Sequence, residues 1–171
     1  SRRVGLLGID AHRDADGSYV IDAILPGESS DPQSRSPLRA PGVGAKPGDR
    51  IVAVDGRPVA DAPALGALLG GSVDKVVELT LARDGEAPRR VAVVPIGVEE
   101  TLRYHAWVAG RAAYVEERSG GRLGYLHVPD MMSVGWAQLH RMISQASRRE
   151  GVIADMRYNR GGHTSQLVIE R

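Results

Sequence analysis

Cysteine and phenylalanine are absent from the 171 residues, and aromatic residues of all kinds make up only 4%. Without cysteine there is no disulfide framework, no thiolate zinc site and no cysteine nucleophile. The lack of thiols fits a reducing compartment, and a cytoplasmic location is expected. With so few rings, the core must come from Val, Ile, Leu and Ala. An excess of either charge is also missing. Twenty-two Lys and Arg stand against 21 Asp and Glu, a net +1, which leaves neither a nucleic-acid footprint nor an acidic tail. No apolar run reaches the roughly 18 residues that span a bilayer, and no basic-then-apolar leader opens the chain. A soluble protein, or a soluble piece of one, is expected, without nucleic-acid or membrane partners. Metal-ligand clusters, phosphate loops and dinucleotide fingerprints are lacking too, so no metal or cofactor is expected. What remains is globular: 42% hydrophobic and 25% charged residues,. The chain opens on Ser1 and closes within the apolar stretch Thr164 to Arg171. Both ends read as cut from something longer.

Residues 1–97 alternate short β-rich runs with turn signals. Tyr19 to Leu25 is stopped by Pro26-Gly27, and Arg50 to Val54 runs into Asp55-Gly56. Val76 to Leu81 and Arg90 to Val94 are joined through Asp84-Gly85. Asp14-Ala15-Asp16-Gly17 reads as a hairpin turn, because Asp-Gly readily takes the positive φ of primed turns. His12, Asp14, Asp16 and Gly17 superficially match the opening of a calcium loop, but Leu25 stands where its closing acid is needed. Residues 28–44 turn to Ser, Pro, Gly, Asp and Arg without period, a long loop insert whose Arg35 and Arg39, with Lys46 after it, read as solvated charges. Ala62 to Leu69 is a short helix candidate closed by Gly70-Gly71. Several strands and one short helix predict a small, partly open β-barrel. Past Gly97 the period changes. Glu99 to Ser119 carries Tyr104, Trp107 and Tyr114 at helical spacing. Strand Leu123 to Val128, a helix with Trp136, Leu139 and Ile143 on one face, strand Gly151 to Arg157 and a glycine turn follow. That order predicts an α/β layer with parallel strands. The expected class is α+β, with a domain boundary at residues 97/98.

Leu7-Gly8-Ile9 ahead of a strand can turn successive backbone N–H groups inward, a nest for a carboxylate beside an open strand edge. Gly5-Leu6-Leu7-Gly8-Ile9 resembles the carboxylate-binding loop of a PDZ domain, and Lys46-Pro-Gly-Asp-Arg-Ile-Val-Ala-Val-Asp-Gly56 matches that family's most recognisable stretch. The resemblance covers residues 1–97 apart from the insert. It implies a peptide groove between the strand starting near Ile9 and the helix Ala62–Leu69, with Leu6, Leu7, Gly8, Ile9, Ala62 and Gly66 as peptide-binding residues. Ala62 is not His, so a hydroxyl-bearing ligand residue finds no obvious partner. A non-catalytic PDZ adaptor recognising free C-termini is therefore one functional reading, and an empty or covered groove another.

Asp155-Met-Arg-Tyr-Asn-Arg-Gly-Gly162 ends a buried-strand pattern in glycines at a helix start. Backbone N–H groups there can stabilise an oxyanion without any side chain. With Tyr114 to Met132 and Ser165 to Glu170, this stretch is similar to the tricorn proteases, serine peptidases related to the tail-specific, C-terminal-processing peptidases. The Ser36-Pro37-Leu38 run of the insert looks tricorn-like as well. The resemblance spans essentially the whole chain. It implies that residues 98–171 hold a linking helix and the truncated start of a ClpP/crotonase-like catalytic core. It puts the oxyanion-hole glycine at Gly161 or Gly162, with Gly161 favoured. Arg160 is bulkier than the residue usual there. The implied parent is a cytosolic homo-oligomer hydrolysing oligopeptides. By the same resemblance, its nucleophilic Ser and its His fall outside residues 1–171. No Gly-x-Ser-x-Gly elbow substitutes for them, and Ser133, Ser144, Ser147, His127 and His163 each have a plainer structural reading. The piece is expected to be inactive alone, since no agent activates a nucleophile.

Overall fold

The computed structural model describes residues 3–27, 34–130, 139, 140, 143 and 148–161. Gly162, His163 and Ser165, together with Ser133, Trp136, Ser144 and Ser147, lie outside them. The chain divides into two compact units, Ser1–Ala106 and Trp107–Arg171.

The first unit is built on an antiparallel sheet. Its strands are β1 (Ile9–Arg13), β2 (Tyr19–Ile24), β3 (Arg50–Val54), β4 (Arg57–Pro58), β5 (Val77–Ala82) and β6 (Arg89–Val93). They pair in the order β1-β2-β3-β5-β6, with β4 hairpinned onto β3. The expected barrel is not closed. Among the described residues β1 and β6 do not pair with each other, and one bridge, Leu6 to Ile96, links the segments beside them. Alternation decides which faces are buried. In β5 Val77, Leu79 and Leu81 point inward while Glu78, Thr80 and Ala82 are half-buried, the period-2 signature of a one-sided sheet. Ile21, Ile51 and Leu79 are fully buried at the centre of the core. Each such side chain contributes about 1.5–3 kcal/mol.

Asp-Gly turns close the hairpins as expected. Gly17, Gly56 and Gly85 all take positive φ. The insert is less solvated than its composition predicts, because Leu38 and Val43 join the main core. Arg35 Nη1 donates to Val94 O at 2.6 Å, so that residue is an anchor rather than a free charge. Lys46-Pro-Gly-Asp49 works in the same way. Asp49 is 2% exposed and accepts from Arg83 Nε at 2.7 Å and from the Lys46 N–H at 2.9 Å. Burial alone raises its carboxyl, but these bonds and the nearby Arg89 outweigh that and hold it below the usual range.

Helix α1 is much shorter than expected, Leu65–Leu68 only. Ala62 precedes Pro63, which disfavours helical ψ. Its ψ of 150° is extended, and it caps a 3-10 turn, Val59–Asp61, instead.

The second helix, α2 (Glu100–Ser119), begins in the first unit and continues into the second. Gly120 and Gly121 end it in left-handed conformations, with the Gly121 N–H returning to Glu116 O at 2.8 Å,. In the second unit β7 (Leu123–His127) and β8 (Gly151–Asp155) run parallel, His127 opposite Asp155. Leu126, Val128 and Leu139 form that unit's core cluster.

Candidate functional sites

The segment Gly5–Ile9 is fixed by backbone bonds on both sides. Leu6 and Ile96 exchange N–H···O bonds at 2.8 and 2.9 Å, and the Gly5 N–H donates to Leu69 O at 2.8 Å. Leu7 is buried in the main core, and Ile9, Leu65 and Leu68 pack against the same cluster. Gly8 takes φ +68°. Its C=O accepts from the Leu25 N–H at 2.9 Å, so its own N–H needs another partner. That partner comes from 91 residues away: the Gly8 N–H donates to Glu99 Oε1 at 2.9 Å. Glu99 Oε2 accepts from Arg103 Nε at 2.9 Å, and Arg103 Nη1 continues to Asp10 Oδ1 at 3.0 Å. Leu102, fully buried, packs with Leu25 and Ile96. A Cβ at Gly8 would lie 2.8 Å from Leu102 Cδ2 and 3.2 Å from Pro37 Cδ.

Gly66 lies in α1 beside Val4. Ala62 is buried ahead of that helix, not on it. Two bonds tie this side to the strands. The Leu65 N–H donates to Tyr19 Oη at 3.1 Å, and Arg13 Nη2 donates to Ala60 O at 2.9 Å. Asp14 and Asp16 face Arg50 across a hairpin turn, and His12 Nδ1 sits 2.8 Å from Asp22 Oδ1. A calcium loop has no counterpart in these pairings.

The second candidate site grows from the end of β8. Asp155 is buried and accepts from Tyr125 Oη at 2.8 Å, from the Arg157 N–H at 3.0 Å and from Arg157 Nε at 2.9 Å. The Arg157 guanidinium holds the Asp155 carboxyl far below its ordinary range despite burial. Burial, then the bond to Asp155, pushes the Tyr125 hydroxyl up to about 12. His127, 2% exposed, places Nε2 2.7 Å from Arg157 O. Trp107 stands edge-on to His127 at 4.9 Å and under the Arg157 guanidinium at 5.5 Å. Beyond this clamp the backbone turns sharply. Tyr158 takes φ +61° and is 79% exposed. Asn159 Nδ2 donates to Val128 O at 2.9 Å, and the Arg160 N–H donates to Pro129 O at 3.0 Å. Gly161 has φ +76° and donates its N–H to Asn159 Oδ1 at 2.7 Å. Among the described residues nothing lies within 4 Å of a Cβ built there.

Both loops thus present a glycine N–H in a left-handed bend, and both N–H groups already hold a side-chain oxygen. Reading the sequence made Glu99 only a helix-start acid and assigned no site role to Leu102, Tyr125, Asp155 or Asn159. Asp155 and Asn159 lay inside the glycine-turn stretch, but Glu99 carried no local signal for a partner 91 positions away.

Comparison with known proteins finds two family patterns along the chain. The tricorn protease PDZ domain family matches residues 5–97, and peptidase family S41 matches residues 122–170. Tricorn protease homolog 1 of Streptomyces coelicolor is 57% identical over 170 residues, 99% of this chain and 16% of its own length. The tricorn protease homolog of Saccharolobus solfataricus is 39% identical, over 98% of this chain and 15% of its own. A crystal structure of the tricorn protease superposes with a TM-score of 0.87 at 31% identity, covering 98% of this chain and 16% of that one. The chain therefore spans about a sixth of the length of these relatives. With one family pattern over more than half of its residues, an S41 segment behind it and the fold shared throughout, the chain belongs to the tricorn protease family.

Proposed function

We propose that this chain is part of a tricorn-type serine peptidase that hydrolyses oligopeptides in the cytoplasm as a homo-oligomer, without metal or cofactor. Residues 1–97 are its PDZ domain. Residues 98–171 carry a linking helix and the start of a ClpP/crotonase-like catalytic core, whose nucleophilic Ser and whose His come from the rest of the parent chain. Gly161, with Gly162 after it, supplies the oxyanion hole. The observation that carries this reading is the clamped loop Asp155–Gly161, which presents a backbone N–H from a left-handed glycine with no described residue within 4 Å of its Cβ position.

The N–H is not idle. It holds Asn159 Oδ1 at 2.7 Å, a neutral amide acceptor. An oxyanion accepts more strongly, since charge-assisted bonds are roughly twice as strong as neutral ones. The exchange from amide oxygen to oxyanion therefore favours the state that develops charge, which is the condition for transition-state stabilisation. Tyr125, Asp155, Arg157 and Asn159 keep the loop rigid while that exchange occurs.

The test joins two measurements. The purified 171-residue chain is expected to turn over no peptide substrate. A chimera carrying this chain in place of the matching segment of the Streptomyces coelicolor relative is expected to be active. In it Gly161→Ala lowers kcat about a hundredfold through misplacement of the donor, with KM little changed. Turnover by the isolated chain, or a chimera indifferent to Gly161→Ala, overturns the proposal. The adaptor reading needs an open carboxylate loop, and the Gly8 N–H is already taken by Glu99.

A further inference from the structure

We propose that the Leu7–Ile9 loop is a carboxylate-binding site already filled by this chain's own Glu99, with Leu102 as the apolar side chain seated beside it. A peptide's free C-terminus then enters only by displacing the turn that opens α2. The inference concerns the first unit alone and does not depend on the oxyanion role of Gly161.

A peptide C-terminus offers two things to such a loop, a carboxylate for its backbone N–H groups and one apolar side chain for the pocket beside it. The chain supplies a carboxylate from within, and an apolar side chain that packs beside Gly8 with Leu25 and Ile96. Glu99 places Oε1 2.9 Å from the Gly8 N, and its side chain is only 12% exposed. Burying a carboxylate costs free energy unless it is paired, and Arg103 Nε, one helical turn on, completes the pairing at 2.9 Å. Leu102 follows three residues later, in the first turn of α2. It is 0% exposed and fills the space where a Cβ on Gly8 would stand.

A second observation concerns Ser36. Its hydroxyl is buried, without a hydrogen-bond partner among the described residues, 3.6 Å from the Gly8 Cβ position. Buried hydroxyls are ordinarily satisfied, so the insert holds beside Gly8 a donor that Glu99 leaves unused and that a differently placed carboxylate can take. An internal ligand acts at an effective concentration on the order of millimolar. Apparent affinity for any competitor falls by the fraction of molecules in which the turn is open.

The experiment uses the whole 171-residue chain and a fluorescein-labelled octapeptide ending in a free Leu carboxylate, with its C-terminal amide as control. Fluorescence anisotropy is read for the parent chain, Glu99→Ala and Glu99→Gln. Glu99→Ala is expected to bind the acid at least about tenfold more tightly than the parent, as removal of a competing internal ligand requires. Glu99→Gln keeps an acceptor but loses the charge, and falls between the two. The amide is expected to bind none of them. Should Glu99→Ala fail to fold, the parent-to-Glu99→Gln difference carries the test. Equal binding of the acid by parent and variants, no binding by any of them, or equal binding of acid and amide each overturns the proposal.

Discussion

Gly8 and Gly161 have nearly the same backbone and opposite surroundings. Both sit in the left-handed region, at φ +68° and +76°, and both donate to a side-chain oxygen, at 2.9 and 2.7 Å. Gly8 is held by a carboxylate 91 residues away, with Leu102 and Pro37 crowding the space beside it. Gly161 is held by an amide two residues back, exposed, with nothing among the described residues within 4 Å of a Cβ built there. The same local motif is therefore shut by tertiary packing in one place and only latched in the other. A latch held by one neutral bond can be exchanged for a charged ligand. A site closed by a largely buried carboxylate, paired with the half-exposed Arg103, and by a buried Leu needs part of a helix to move.

The largest expected effect that sharpens this contrast is on Leu102. Leu102→Ala removes a fully buried side chain and is expected to cost about 2–5 kcal/mol in urea unfolding. By contrast Tyr158→Ala, at the exposed turn of the other loop, is expected to stay within about 0.5 kcal/mol. Next come the glycines themselves. Gly8→Ala combines left-handed strain with a 2.8 Å clash, about 2–4 kcal/mol together. Gly161→Ala meets the strain alone, about 1–2 kcal/mol. Equal losses at the two positions would erase the distinction between a packed and an open loop.

The pH dependence of the second loop has a definite sign. The Asp155 carboxyl is held far below its ordinary value by Arg157, so its stabilisation is complete above the unfolded value. It is lost as pH falls through the folded one, which sets the loss below about pH 4. Tyr125 gives the opposite arm. Its hydroxyl is raised to about 12 by burial and by Asp155, so its contribution is lost as pH rises from about 10 towards that value. Urea midpoints from pH 2 to 12 check both arms. A smaller effect than at either glycine loop's core is expected from Tyr125→Phe, which deletes one bond to Asp155, costs about 1 kcal/mol and removes the alkaline arm.

Local rules made most of the sheet and helix α2 legible. β5 alternates cleanly, the Asp-Gly turns need positive φ, and the Tyr104–Trp107–Tyr114 spacing fits only a helix. The barrel is open because the segments beside β1 and β6 meet at one bridge, Leu6 to Ile96, rather than along a ladder. Helix α1 shrank because Pro63 keeps Ala62 extended, a signal that was present in the sequence. The insert hid Leu38 and Val43, two core residues inside a polar composition. At the sites, the glycines were visible as types while their partners were not. Glu99 reads as a helix-start acid, and only the folded chain brings it to Gly8.

Amide hydrogen exchange at Gly8 and Gly161 in the 171-residue chain tests the central contrast most directly, because both N–H groups are bonded and only one is enclosed. The account predicts that Gly8 exchanges at least about a thousandfold more slowly than Gly161, as expected when opening needs sub-global rather than local motion, and that Glu99→Ala removes most of that protection. Equal exchange at the two glycines in the unsubstituted chain, or protection of Gly8 that survives Glu99→Ala intact, would contradict it.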